Sequence, residues 1–235
     1  MTKEMIGSLE LNRIYQRDCI EGMRMLPDES VDLVVTDPAY PCISGGRKKN
    51  AGQPSGILLK NDGKIFNYNE VDMKDWMTEV YRVLKTGSHF YTMTNVLNLQ
   101  KMLNIGVELG FKLHNILIWK KNNVTPSQYY MKNAEYILFF RKGRAKYINN
   151  IGTKTVIELD NVRSREHPTQ KPVELMRIFI ENSSNKDGTV LDPFMGSGTT
   201  AVAAVCTNRK FIGFEREQEY VEIANKRLDN EEIPQ

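Results

Sequence analysis

Asp37-Pro38-Ala39-Tyr40 sets a carboxylate and an aromatic ring three residues apart. They follow directly on Val31–Thr36, a run of apolar and β-branched residues that predicts a buried strand. Ligands of α/β folds bind beyond the C-terminal ends of strands, so the pair falls where chemistry is done. The chemistry that suits it concerns an amine conjugated to an aromatic ring. Such an amine is a poor nucleophile, because its lone pair is delocalised into the ring. A carboxylate and a backbone carbonyl that accept its two N–H bonds hold the nitrogen nearer sp³ geometry and aim its lone pair at an electrophile. Asp37 and the Pro38 carbonyl can fill these roles, and Tyr40 can stack on a base swung out of a nucleic-acid helix. Pro38 restricts the turn and has no N–H to compete.

A second group lies near the C-terminus. Thr189-Val-Leu-Asp-Pro-Phe-Met-Gly-Ser-Gly-Thr-Thr-Ala201 reads as a strand, a tight turn and the start of a helix. Gly196 and Gly198 let the backbone approach a ligand, and the helix start offers unpaired N–H groups. Glu215 comes twenty-three residues after Asp192, at the end of the apolar run Phe211–Phe214. An acid in that place can accept hydrogen bonds from both hydroxyls of a ribose. A dinucleotide site would show G-x-G-x-x-G, and the third glycine is absent here. Asp192 adds negative charge just before the turn, which suits a ligand with an ammonium and a sulfonium better than a pyrophosphate. Either motif alone is also what an ordinary turn looks like. Their occurrence together carries the reading.

These residues need a scaffold that brings strand ends to one edge. Apolar β-rich runs alternate with helical patterns, which predicts an α/β sheet. Strands are expected at Val31–Thr36, Ser88–Thr94, Leu113–Lys120, Tyr136–Arg141, Thr189–Leu191 and Phe211–Phe214. Helices are expected at Lys74–Leu84, at about Leu97–Leu109 before Gly110, from Pro172 onward, after Gly196–Gly198, and over Gln218–Leu228. Two stretches, about 41–69 and 143–169, read as long loops, which in a compact domain are functional or mobile.

The 235 residues suit one domain, and 40% hydrophobic with 26% charged residues suits a globular chain. The longest apolar stretches, such as Ala201–Cys206, are far too short to span a bilayer, so no membrane association is expected. Cys19, Cys42 and Cys206 are far apart and lack metal-ligand spacing. With no signal-peptide pattern at the N-terminus, a reduced cytoplasmic setting and no metal are expected. The net charge of +3 is uneven: Lys112–Lys171 holds twelve Lys/Arg against four Asp/Glu, whereas residues 215–235 hold seven acids against three bases. A basic middle suits a polyanion, with Arg47, Lys48, Lys49, Lys120, Lys121, Arg141, Lys142, Arg144, Arg163 and Arg165 as candidate phosphate contacts.

Taken together, the motifs resemble those of the β-class amino-methyltransferases of DNA, in which a D-P-P-Y-like loop precedes an F-x-G-x-G loop. The segment His167-Pro-Thr-Gln-Lys-Pro172 is similar to the family's lead-in to the first helix of the cofactor half. Arg17-Asp-Cys-Ile-Glu-Gly-Met23 is similar to its N-terminal element. Trp119-Lys-Lys-Asn-Asn and Asn133-Ala-Glu-Tyr-Ile-Leu-Phe-Phe-Arg-Lys-Gly are similar to its later strands. The resemblance covers nearly the whole chain in the right order. It implies a single Rossmann-like methyltransferase domain over 1–235, with a mostly parallel, mixed sheet flanked by helices. It also implies S-adenosyl-L-methionine as cofactor, held by Asp18, Cys19, His167, Thr169, Asp192, Phe194, Gly196, Ser197, Gly198, Thr199 and Glu215. Asp37, Pro38 and Tyr40 would act on DNA, with adenine N6 as target because aspartate at position 37 resembles the adenine enzymes. Cytosine N4, an RNA substrate, and a partner subunit that binds without chemistry are the alternatives. Two departures stand out. Ala39 replaces the usual second proline, and the segment between Gly143 and His167, where many relatives carry target recognition, is short. Recognition then rests on the 41–69 loop, on a second subunit in a homodimer, or is relaxed.

Overall fold

The computed structural model describes residues 3–39, 71–125, 129–162 and 170–230. The chain begins with the short strands β1 (Met5–Ile6), β2 (Leu9–Glu10) and β3 (Arg13–Gln16), then helix α1 (Cys19–Arg24) and strand β4 (Val31–Thr36). There follow α2 (Met73–Val83), β5 (Leu84–Thr94), α3 (Leu99–Glu108), β6 (Phe111–Thr125), β7 (Lys132–Lys142) and β8 (Val156–Glu158). The last part holds α4 (Val173–Ser183), β9 (Thr189–Asp192), α5 (Thr199–Cys206), β10 (Lys210–Glu215) and α6 (Gln218–Asn230). Strands β1 and β2 form a small antiparallel ribbon, and the other eight form one sheet in the order β3-β10-β9-β4-β5-β7-β6-β8. Strand β7 runs antiparallel to β5 and β6, and every other neighbouring pair is parallel. This is the mostly parallel, mixed sheet that the sequence predicts.

The sheet is covered on both faces, which is why its central strands carry apolar residues without interruption. Successive side chains still alternate between the two faces. Val34, Phe90, Leu138 and Phe140 pack with Met23 of α1, Trp76 and Val80 of α2, and Met102 of α3. Leu33, Val35, Tyr91, Ile137 and Phe139 pack with Leu175 and Phe179 of α4, Ala201 and Ala204 of α5, and Val221 of α6. Connections from β4 run through α2 to β5 on one side, and those from β9 run through α5 to β10 on the other. The sheet order therefore reverses between the adjacent strands β4 and β9, where α/β folds open a crevice for ligands.

Five short elements, β1, β2, β3, α1 and β8, go beyond the sequence expectation. Strand β3 buries only Ile14, and α1 has six residues, so neither offers a full period to read. Strand β8 lies within the stretch expected to be a loop. It pairs in parallel with β6 and buries Ile157. Pro172 caps α4 rather than opening it, with the helix starting at Val173.

Helix α4 is anchored by an aromatic column. Tyr91 stacks on Phe139 at 4.5 Å between ring centroids and on Phe179 at 4.7 Å, with the rings nearly parallel. The column fixes the helix whose N-terminal lead-in reaches the crevice. Phe179→Ala should lower the unfolding free energy by about 3–5 kcal/mol, read from the midpoint of urea denaturation.

Candidate active site

The crevice is built around a carboxylate that is almost wholly out of solvent. Asp192, at the end of β9, is 3% exposed. Its Oδ1 accepts from the Thr36 hydroxyl at 2.6 Å and from the Phe194 N–H at 3.0 Å, and its Oδ2 accepts from the Thr200 hydroxyl at 2.6 Å. These bonds join the end of β4, the turn after β9 and the first turn of α5. Burial pushes the Asp192 carboxyl up to about 6, against the pull of the two hydroxyls and the N–H, and the nearby charge of Asp37 adds to the rise. Both oxygens thus face protein donors, and Asp192 braces the two loops against each other.

The two glycines of the turn serve different ends. Gly198 has φ of +82°, and a Cβ there would lie 2.7 Å from the Cβ of Ala224, so it admits α6. Gly196 has φ of +53°, and a Cβ there would meet nothing within 4 Å. Its bare face opens on space beside the Glu215 carboxylate. Glu215 Oε2 accepts from the Gly196 N–H at 2.8 Å, and Oε1 accepts from the Glu217 N–H at 2.8 Å. A carboxylate has about four lone-pair sites, so these bonds leave acceptor capacity. Burial raises the Glu215 carboxyl above the usual range, with the backbone donors opposing. Ser197 and Thr199 are turned the other way: Arg227 of α6 donates to the Ser197 carbonyl at 2.6 Å and lies 3.2 and 3.3 Å from the two hydroxyls. Phe194 is half-buried and meets the Trp76 ring edge-on at 5.3 Å.

On the neighbouring side, Asp18 follows β3, which pairs with β10. Its Oδ1 caps α1 by accepting from the N–H groups of Ile20 at 2.9 Å and Glu21 at 3.3 Å. Cys19 is buried, and burial, with Asp18 beside it, pushes its thiol up to about 12. It stays protonated near neutral pH and acts as packing rather than as a nucleophile.

Asp37 and Pro38 continue from β4 at the same edge, with Pro38 buried. Asp37 Oδ2 accepts from Lys171 Nζ. Lys171 also faces Glu135 at 3.6 Å, and Glu135 pairs with Lys121 at 2.9 Å. Lys171 and Glu135 were not among the site residues expected from sequence, although both stand inside quoted motifs. Lysine before the proline that caps α4 was the available signal. Tyr40, His167 and Thr169 lie outside the described residues, as do Arg47, Lys48, Lys49, Arg163 and Arg165.

The phosphate contacts expected of Arg141, Lys142 and Arg144 need correction. Strand β7 runs against its neighbours, so its C-terminal end lies at the sheet edge opposite Asp37. Lys142 is itself buried, donating to the Leu84 carbonyl at 2.7 Å and pairing with Glu29 at 3.1 Å. Lys120 and Lys121 are at the Asp37 edge, but each is engaged by an acid, Glu158 and Glu135 respectively. Among the described residues, no group of three or more His, Cys, Asp or Glu could hold a metal ion, and no helix is long and apolar enough to cross a membrane.

A doubly covered parallel sheet with one reversed strand, and two acidic loops meeting at its switch point, defines a Rossmann-like domain. The sequence matches the N6/N4-type DNA methylase family over residues 31–226, and the chain belongs to that family. It is 33% identical to the type II methyltransferase M2.MboI of Moraxella bovis, over 91% of this chain and 86% of the relative. It is 30% identical to the type II methyltransferase M.HinfI of Haemophilus influenzae, over 97% of this chain and 71% of the relative. Among solved structures, the crystal structure of the M1.HpyAVI-SAM complex superposes with a TM-score of 0.69 at 26% identity, over 92% of this chain and 98% of that one.

Asp192 yields a pH prediction. Its folded value of about 6 stands above its ordinary 3.8, so between these the folded chain binds more protons than the unfolded one. Its contribution to stability is complete below the lower value and is lost as pH rises through the upper. Asp192→Asn should remove this dependence. The stability of the wild type relative to the variant should fall by about 2 kcal/mol between pH 4 and pH 7, measured by urea unfolding at each pH.

Proposed function

We propose that the chain transfers a methyl group from S-adenosyl-L-methionine to the N6 amine of adenine in DNA. The observation that carries this reading is the junction of the two acidic loops: Asp37 and the glycine turn issue from adjacent strands and are joined through the Thr36–Asp192 bond. A base amine offered to the first loop is then close to a nucleoside held by the second.

The residues at the second loop fit the cofactor. Gly196 leaves room for it, the Glu215 carboxylate is placed for ribose hydroxyls, and Asp18 stands at the neighbouring strand end for the adenine amine. S-adenosyl-L-methionine, when bound, would supply a methyl carbon activated by its sulfonium, the carbon–sulfur bond breaking as the nitrogen–carbon bond forms and the sulfur leaving as a neutral thioether. Asp37 and the Pro38 carbonyl accept the two N–H bonds of the target amine and orient its lone pair. Tyr40 stacks on the flipped base, and His167 and Thr169 border the methionine end of the cofactor. Positioning and fixed charge supply the rate gain. Adenine is favoured over cytosine by the aspartate at position 37. The relatives named type II methyltransferases, and the relative crystallised with SAM, support the same activity. Phosphate contact falls to Arg47, Lys48, Lys49, Arg163 and Arg165, which lie outside the described residues. Tyr130 and Met131, just before β7, are exposed on the edge where β4 ends.

Incubation with labelled cofactor and unmethylated DNA, followed by nucleoside analysis, should give N6-methyladenine. N4-methylcytosine would redirect the reading, and cofactor binding without transfer to any nucleic acid would overturn it. Asp37→Ala should reduce transfer by at least about 10²-fold while cofactor binding persists in calorimetry. Affinity for DNA should fall steeply with salt, and a flat salt dependence would count against phosphate-led binding.

A further inference from the structure

Lys171 is 11% exposed at its side chain, an unusual place for an ammonium. Its Nζ donates to Asp37 Oδ2, and Glu135 Oε2 stands 3.6 Å away on its other side. Glu135 Oε1 is in turn held by Lys121 Nζ at 2.9 Å, and Lys121 lies over the Trp119 ring at 5.7 Å. The four side chains form an alternating row, minus-plus-minus-plus, from the end of β4 through the lead-in to α4 to β7 and β6. Three segments of different parts of the chain meet in it: Trp119-Lys-Lys, Asn133-Ala-Glu and Gln170-Lys-Pro172.

The row solves a problem that the fold creates. Asp37 directly follows Thr36, which bonds the buried Asp192, and the charge of Asp37 acts on that carboxylate; two carboxylates so linked disfavour each other's charge. An Asp37 that took up a proton would lose its power to accept from the target amine. We infer that Lys171 is a positioning residue for methyl transfer, fixing the Asp37 carboxylate through Oδ2 and keeping it charged, with Glu135 and Lys121 holding Lys171 in place. The inference rests on the proposed amine methylation. Burial opposes the charge of Lys171, but Asp37 and Glu135 override it and keep the ammonium well above the usual lysine range. Burial likewise opposes the charge of Glu135, and Lys171 and Lys121 hold it below the usual glutamate range. The charged groups around Asp37 include Lys171 and Asp192, with Glu135 and Lys121 behind the lysine.

The test compares wild type, Lys171→Met and Lys171→Arg, with labelled S-adenosyl-L-methionine and unmethylated genomic DNA between pH 5 and pH 9. The methionine variant should lose roughly tenfold or more of kcat at pH 7, and the acid limb of its pH profile should move up by about one unit. Its cofactor affinity should stay within about threefold of wild type, since the contact is with the target-side carboxylate. The arginine variant keeps the charge but shifts the donor. It should retain the wild-type profile with a lower plateau, and it decides the matter if the methionine variant fails to fold. An unshifted acid limb in a folded Lys171→Met, or an unchanged plateau in Lys171→Arg, overturns the inference while leaving the methylation reading intact. No transfer by the wild type to any DNA overturns both.

Discussion

The Asp192 carboxylate is the constraint on which the site depends. It is nearly out of water, and an unpaired buried charge would be costly. The structure meets this with three donors drawn from three places: the last residue of β4, the turn after β9, and the start of α5. Because β4 and β9 flank the switch point, the same bonds that satisfy the carboxylate also set the spacing of the two ligand loops. The charge is kept where it is by the groups that it holds together.

Around this brace the site has a division of labour. On one side the glycine turn is clamped from behind by Arg227 and Ala224 of α6, so that only its Gly196 face is open. On the other side Asp37 is engaged by a row of alternating charges that reaches across β6, β7 and the lead-in to α4. Residues that look alike in a motif thus face in opposite directions. Ser197 and Thr199 belong to the clamp and Gly196 to the crevice, though all three stand within four positions.

Much of the fold was legible in the sequence because the central strands are buried on both faces and the longer helices carry full apolar stripes. Val31–Thr36 appears at its expected bounds, and the helix expected after Gly196–Gly198 starts at Thr199. Strand β3, helix α1 and strand β8 were not legible as elements, because each is too short to show a period. The candidate site was legible as a set of loops but not as a set of contacts. Asp192 reads as a charge offered to a ligand, and packing turns it inward to three protein donors. Lys142 reads as a surface base, and the reversed direction of β7 carries it to the far edge and buries it against Leu84. Neither outcome is written in local sequence. Both depend on which strand lies beside which, and a partner such as Lys171 for Asp37 stands 134 residues away.

The pairing of β3 with β10 bears on how the protein is made. Asp18 follows β3 and Glu215 ends β10, and these two strands lie side by side at the sheet margin. A ribosome therefore releases Asp18 about two hundred residues before Glu215. Until β10 has emerged, β3 has no neighbour to bind, and the margin of the nascent sheet ends at β4 and then at β9. Contacts of such long separation form slowly. Any ligand that needs both Asp18 and Glu215 can therefore be held only once β10 has joined β3.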